Sequence, residues 1–357
     1  MLKSLKIENF RGFPSFEMQN LGRLNLIVGT NNSGKTSILE AIQLLIALPT
    51  NHAILAEISI SRSEYVNVNS DSHLSIRHFF YNHKIEENDE ITITGVDHIG
   101  KSEQTILKGQ KNRDGSPELF VLHLADADPE NRVTDTSLWL PISQDGIVII
   151  DALRKANWEK SFSSLPPKSQ FVNSSSMTSK QMIELFDQIV ITPEEELVIE
   201  SLQIIEPNIK RIAIFSSEKY RYEGTRNGFV VQLTDQKQRV PIGSMGDGVW
   251  RMLGLALAIV NAKDGVLLVD EIDTGLHFTA MSDMWKMLWE TAKRLNVQIF
   301  ATTHSKDCWT SLEDIANQEH PSEDGITIHR IEKGKTKSIV FTERQITIAA
   351  ENDIEVR

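Results

Sequence analysis

The sequence predicts an α/β fold with a mixed central sheet, an antiparallel β lobe and a short helical insertion. Three observations predict it. Leu24–Val28 is apolar almost throughout, as in a strand covered on both faces. It runs through a glycine-bearing loop into a segment with Ile38, Leu39, Ile42, Leu45 and Ile46 at helical spacing. From about Ile54 to Val148 the pattern is of short strands, Leu74–Ile76, Ile91–Ile93, Ile106–Leu107 and Leu119–Leu124, parted by polar turns, which is the pattern of an antiparallel sheet. From Ile212 onward, strands return at Ile212–Phe215, Phe229–Leu233, Val266–Val269, Gln298–Ala301 and Ile326–Ile331, with helices between them.

Taken in order, Leu5, Ile7 and Phe10 mark a first strand that breaks at Arg11-Gly12-Phe13-Pro14. Pro49 closes the helix that follows the glycine-bearing loop. Ser161–Lys180, rich in Ser and Pro, reads as a loop or flexible edge. Two helices follow, Gln181–Ile191 and Pro193–Ile205. The second opens on Pro193 and a glutamate run that suits a solvent-facing helix N-terminus. Val249–Val260, broken only by Arg251, Gly254 and Trp250, reads as a buried helix rather than a membrane span. Leu276–Leu295 is a helix with Met281, Met284, Trp285, Leu288 and Ala292 on one apolar stripe. After His304 a helix over Ser305–Asn317, two strands and a tail are expected. The expected division is an N-terminal lobe over 1–160, a loop and helical insertion over 161–205, and a C-terminal lobe over 206–357.

Composition narrows the setting. With 40% hydrophobic and 24% charged residues the chain can bury a sizeable core. The single cysteine, Cys308, cannot form an internal disulfide and points to a reducing compartment. The N-terminal segment alternates and lacks a signal-peptide apolar region, and no run approaches the ~18 apolar residues of a membrane span, so cytoplasm is the expected location. A net charge of −12 argues against a surface devoted to nucleic acid. The cluster Lys210, Arg211, Lys219, Arg221 and Arg226 is interleaved with Glu218 and Glu223 and reads as a solvated mixed-charge face.

Three segments carry chemistry. Gly29-Thr30-Asn31-Asn32-Ser33-Gly34-Lys35-Thr36 fits the P-loop (Walker A) pattern G-x-x-x-x-G-K-[ST] between a buried strand and an amphipathic helix. Its glycines let successive N–H groups point at phosphate oxygens and the helix N-terminus adds a favourable dipole. Lys35 neutralises β- and γ-phosphate charge, and Thr36 can ligate Mg²⁺. Asn31, Asn32, Ser33, Gly34 and Ser37 complete the expected nucleotide contacts. Val266-Leu267-Leu268-Val269-Asp270-Glu271 is an apolar strand ending in two acids (Walker B). Asp270 is placed to hold Mg²⁺, and Glu271 to orient or deprotonate the attacking water. Phe300–Ser305 is a strand one helix further on, and His304 at its end would face the same crevice. Together these imply binding and hydrolysis of ATP with Mg²⁺.

The order of these motifs resembles the ABC-type ATPase heads of RecF, SMC proteins and the OLD (overcoming lysogenization defect) family. The matching residues are Ile7-Glu8-Asn9-Phe10-Arg11-Gly12-Phe13, Asp270-Glu271-Ile272-Asp273-Thr274-Gly275-Leu276-His277 and Thr302-Thr303-His304-Ser305. Gly275-Leu276-His277 is the variant typical of the OLD-like branch. The resemblance implies an ATP sandwich between two heads, hence a homodimer or higher even-numbered oligomer. The signature loop of one copy would complete the site of the other. Here that loop is Gly243-Ser244-Met245-Gly246-Asp247-Gly248, where Ser244 and Gly246 supply a hydroxyl and an amide near a helix N-terminus. It departs from the usual Leu-Ser-Gly-Gly-Gln, and the glutamine of the first lobe has no assigned position. By the same resemblance Asp273 would cross the dimer interface, and Arg11 and Gly12 would flank the adenine or ribose. The chain lacks a long coiled coil. The about fifty residues after His304 are too few for the TOPRIM nuclease domain of OLD proteins. The expectation is an ATPase subunit that switches a separately encoded effector, as in bacterial anti-phage systems. The alternative is a RecF-like repair ATPase with DNA as its ligand.

Overall fold

The computed structural model describes the chain except residues 50, 69–70, 112–114, 126–132, 144, 150–168, 176, 216–227, 235–237 and 318–323. It divides into two compact units. The first comprises Met1–Gly22, Gly29–Pro167 and His329–Val340, and the second Arg23–Val28, Lys168–Ile328 and Phe341–Arg357.

The first unit opens with β1 (Leu2–Phe10) and β2 (Phe13–Gln19), an antiparallel hairpin in register from Ser4 opposite Gln19 to Phe10 opposite Phe13. Leu5 and Ile7 alternate inward as expected of a half-buried strand. Leu2 is buried out of phase, where the pairing of β1 with the strand over Glu90–Asp97 shifts between Leu2 and Ser4. β3 (Leu24–Val28) belongs to the second unit. α1 (Lys35–Ala47) follows the P-loop, and α2 (Ile54–Ser61) comes next. Here the structure corrects the reading of strands from Ile54. Ile54, Leu55 and Ile58 are buried at helical spacing while Ile60 faces out, so tertiary burial overrides the strand preference of a β-branched segment. β4 (Tyr65–Val68), β5 (Asp71–Ser75) and β10 (Ile147–Ile149) form a small sheet in the order β10-β5-β4. β6 (Glu90–Asp97), β7 (Ser102–Lys111), β8 (Pro117–Ala125) and β9 (Val133–Pro141) extend the hairpin into a six-stranded sheet, β2-β1-β6-β7-β8-β9. All its pairs are antiparallel, as the short alternating segments predict.

In the second unit, β11 (Ser169–Val172) is an edge strand parallel to β15 (Val266–Val269). The expected loop over Ser161–Lys180 is therefore corrected for Ser169–Val172; residues 161–168 lie outside the described residues. Only Val172 of this strand is buried, which leaves almost no apolar pattern to read. α3 (Ser179–Asp187) starts at a capping box between Thr178 and Gln181, and α4 (Pro193–Gln203) at Pro193. β12 (Ile209–Ile214), β13 (Phe229–Leu233) and β14 (Arg239–Pro241) form a three-stranded antiparallel sheet. Lys210 and Arg211 lie exposed on β12, whereas Lys219, Arg221 and Arg226 fall outside the described residues.

α5 (Asp247–Asn261) is buried from Trp250 to Val260, and α6 (Met281–Leu295) buries the full apolar stripe read from the sequence. Each fully buried Leu, Met or Ile contributes about 1.5–3 kcal/mol, so this helix pair is the main apolar reserve of the unit. β16 (Gln298–Thr303) follows. The expected single helix over Ser305–Asn317 is two short ones, α7 (Lys306–Thr310) and α8 (Glu313–Ala316). Ser311 ends the first by turning its hydroxyl back to the Cys308 carbonyl. β17 (Ile326–Arg330) and β18 (Ile339–Thr342) precede α9 (Glu343–Glu351), a helix inside the expected tail, started by a Thr342–Gln345 capping box. The central sheet runs β11-β15-β16-β3-β17-β18, with the first four strands parallel. One buried polar residue pins its middle. Asn25 on β3 donates to the Ile299 carbonyl at 3.1 Å and accepts from Thr327 at 3.0 Å, which fixes one register.

The α3–α4 turn carries a strained residue. Ile191 has φ 62° and is 93% exposed, an expensive backbone for a β-branched side chain that buries nothing in return. Ile191→Asn, which tolerates this conformation, is expected to raise stability by about 1 kcal/mol. Urea unfolding checks it, and an unchanged or lower midpoint would show that the strain is not stored there.

Candidate nucleotide-binding site

The two units each contribute their own part of the chemistry. In the first, the loop Gly29–Gly34 has two glycines at positive φ where an added Cβ would meet close neighbours. Gly29 has φ 150°, and a Cβ there would sit 2.5 Å from the Ile331 carbonyl oxygen. Gly34 has φ 98°, and a Cβ would lie 2.4 Å from the Phe13 ring. Phe13 is thus a support for the loop that no motif pattern identifies. Lys35 is buried and donates to the carbonyls of Gly29 at 2.8 Å and Thr30 at 3.0 Å, so its ammonium is held over the mouth of the loop. Asn31 and Asn32 are exposed, Thr36 is half-buried and Ser37 is buried. No acidic residue occupies the first turn of α1 and no side chain caps it, which leaves the positive helix end for an anion.

A buried polar atom tests the fit to phosphate. The Ser33 hydroxyl is buried within this loop without a hydrogen-bond partner. Such a group is costly unless a ligand satisfies it, and a phosphate oxygen would be a suitable acceptor. Mg²⁺ takes hard oxygen donors, and within the second unit the Asp270 carboxylate is of that kind.

Arg11, expected beside the base or ribose, is already committed elsewhere. It lies in the β1–β2 turn with φ 49°, its Nε 2.6 Å from Glu40 and its Nη1 2.6 Å from Glu64. Its guanidinium stacks 5.0 Å from the Phe79 ring centroid and 5.6 Å from that of Phe10. Glu40, on α1, also takes Arg62 at 2.7 Å; burial nonetheless pushes its carboxyl above the usual range against the pull of both arginines. The neighbouring Gly12 is exposed. Arg11 therefore braces α1, and Gly12 is the accessible half of the pair.

In the second unit three parallel strands end side by side, with Val269 opposite Ala301 and Thr303 opposite Val28. The residue after Val28 is Gly29, the first of the P-loop. In parallel sheets such strand ends are where ligands gather. Two consecutive buried threonines of β16 organise the acids after β15. Thr302 accepts from the Glu271 amide at 2.8 Å and donates to Asp270 at 2.6 Å. Thr303 donates to Asp273 at 2.6 Å. Glu271 takes a left-handed backbone, φ 47°, and presents a carboxylate 41% exposed, 3.9 Å from Nδ1 of His304. The structure places Asp270, Glu271 and His304 at one pair of strand ends, with Asp273 beside them on Thr303.

Arg251 was legible only as a break in an apolar helix. It is 3% exposed and donates to the carbonyls of Glu271 and Asn173, each at 3.4 Å, linking α5 to the acidic turn. The signature candidate lies just before the same N-terminal end of α5. Ile242–Met245 form one tight turn, and Gly246, φ 97°, caps the helix with open space around it. Ser244 and Gly246 are exposed, so both can meet a ligand from outside the chain. Among the described residues no group of three or more His, Cys, Asp or Glu forms a metal cluster, and no helix is long and apolar enough to cross a membrane.

Comparison with known proteins agrees with this geometry. An ATP/GTP phosphatase of Helicobacter pylori is 24% identical over 359 residues, spanning 89% of each chain. RecF of Clostridioides difficile is 46% identical over 44 residues, 12% of each chain. The solved SMC head bound to the C-winged helix domain of ScpA superposes with a TM-score of 0.51 at 12% identity, covering 96% of this chain and 98% of that one, a likeness of fold. The family of AAA ATPase domains matches residues 1–140 and 139–308, and the chain belongs to it.

Proposed function

We propose that the protein binds ATP with Mg²⁺ and hydrolyses it to ADP and phosphate. The observation that carries this is the Glu271 carboxylate, held by its own backbone at a strand end and left accessible beside His304. In this reading the P-loop amides, Lys35, Ser33, Ser37 and the Asn31–Asn32 edge cradle the phosphates. Thr36 and Asp270 would hold the metal, which would supply positive charge against the phosphates. Glu271 orients or deprotonates water, and His304 contacts the γ-phosphate. Arg11 shapes the floor beneath Gly12 at the base or ribose.

Ser244, Gly246 and Asp273 act on the nucleotide of a second copy, so that two chains close on paired sites. The test is phosphate release as a function of protein concentration, with Lys35→Ala as the silent control. A faster-than-linear rise is expected. Strictly linear activity would remove the paired site, and Lys35→Ala matching wild type would remove the P-loop from the reaction.

Closure and release would switch a separately encoded effector, as the OLD-like resemblance implies for anti-phage systems. The exposed turn around Ile191, in the α3–α4 insertion, is the place we assign to partner contacts. The short RecF match supports a second reading in which DNA is the ligand. ATP-dependent binding that weakens steeply with salt would favour it.

A further inference from the structure

We propose that Arg357 is a positioning residue for His304, clasping the backbone of the histidine from a strap formed by residues 353–357. Arg357 Nη1 donates to the His304 carbonyl oxygen at 2.6 Å. Its Nε and Nη2 both grip the Glu355 carboxylate at 2.9 Å, so the guanidinium is aimed rather than free to rotate. The pair is ionic throughout the neutral range, because the Arg357 hydrogen bonds hold the Glu355 carboxyl down to about 2.

The strap itself is anchored at three points. Val356 is fully buried in the apolar core of the second unit, the Ile354 amide donates to the Ala349 carbonyl at 2.8 Å, and Asp353 pairs with Lys306 two residues past His304. On the other side of the same turn, the Ser305 amide donates to Thr303 Oγ1 at 2.9 Å. The peptide that carries His304 is therefore held at its oxygen by Arg357 and at its nitrogen by Thr303. This matters because the imidazole is itself 52% exposed and only 3.9 Å from Glu271. A half-exposed side chain on a short strand-to-helix turn keeps its direction only if its backbone is restrained. Sequence order gives no sign of this contact, since 53 residues separate the two.

The proposal rests on the reading of His304 as a residue that serves the nucleotide, and the experiment separates the two. Arg357→Ala, Arg357→Lys, His304→Ala and the double variant His304→Ala/Arg357→Ala are compared by kcat, by KM and by affinity for a fluorescent ATP analogue. Arg357→Ala is expected to lower kcat about tenfold with nucleotide affinity unchanged, and Arg357→Lys to recover part of the loss. In the His304→Ala background, removing Arg357 should cost nothing more, whereas a purely structural role would lower activity again. Should Arg357→Ala fold poorly, Glu355→Gln loosens the same grip while keeping Arg357 and Val356, and a smaller fall in kcat alone is expected. Wild-type kcat in both Arg357→Ala and Glu355→Gln, or full additivity in the double variant, overturns the clasp. Wild-type turnover in His304→Ala overturns the reading of His304 itself.

Discussion

Replacing Glu271 by glutamine is expected to lower ATP turnover by about 10²–10³-fold while leaving nucleotide binding intact. The substitution keeps the shape of the side chain and removes only its basicity. The backbone that places residue 271 is held without the carboxylate, whose own contacts are a 3.5 Å hydrogen bond from the Thr274 hydroxyl and His304 at 3.9 Å. The Glu271 amide is held by Thr302, its carbonyl receives Arg251, and its left-handed backbone is set by the turn to Thr274. Glutamine therefore occupies the same position without a site for the proton of the attacking water. Binding should persist because the phosphate cradle lies in Gly29–Ser37, and ATP should accumulate on the enzyme. Single-turnover phosphate release beside titration with a fluorescent ATP analogue measures both. Turnover equal to wild type would take Glu271 out of the mechanism and leave Asp270 and His304 to be tested in its place.

Arg11→Ala should destabilise the protein by about 3–5 kcal/mol, the largest stability effect expected of any single side chain outside the apolar cores. Arg11 is 8% exposed, and its departure strands the Glu40 and Glu64 carboxylates, at 3% and 14%. Glu40 already ionises with difficulty because burial outweighs its two arginines. With Arg11 gone, only Arg62 remains against it. The cation–π contacts with Phe10 and Phe79 are lost as well. Equilibrium urea unfolding gives the number, and a loss under about 1 kcal/mol would show that water relieves the orphaned acids. Because Glu40 sits on α1, which begins at the last two residues of the P-loop, the variant should also bind nucleotide more weakly than its folded fraction accounts for. Such an effect would tie the Ile7–Phe13 segment to the site through support of the helix, without a direct base contact by the guanidinium.

Much of the site was legible in the sequence because its chemistry is local. A phosphate loop needs glycines, a lysine and a hydroxyl within eight consecutive residues, and a buried strand ending in acids announces both its depth and its cargo. Strand periodicity likewise gave the antiparallel sheet, and the 3.6-residue stripe gave α6. The misreadings share a cause. α2 is made of residues that prefer strands and is helical only because its neighbours bury one face. β11 offers a single buried residue, and α9 depends on a capping box instead of a long apolar stripe. In each, the local signal was weak and packing decided.

What the sequence by itself determined is the set of candidate reactive groups, Lys35, Thr36, Asp270, Glu271 and His304, together with the strands and the helix that present them. What only the tertiary structure decided is how those groups are held. Thr302 and Thr303 pair with Asp270 and Asp273 across some thirty residues of chain. Phe13 closes against Gly34, Arg251 reaches the Glu271 carbonyl, and Arg357 reaches that of His304. The reason is physical. A reactive group is recognised by its own chemistry and its immediate neighbours, which the chain spells out in order. Its orientation is set by hydrogen bonds and van der Waals contacts that act over a few ångströms in space, whatever the separation along the chain, and these exist only once the chain has folded.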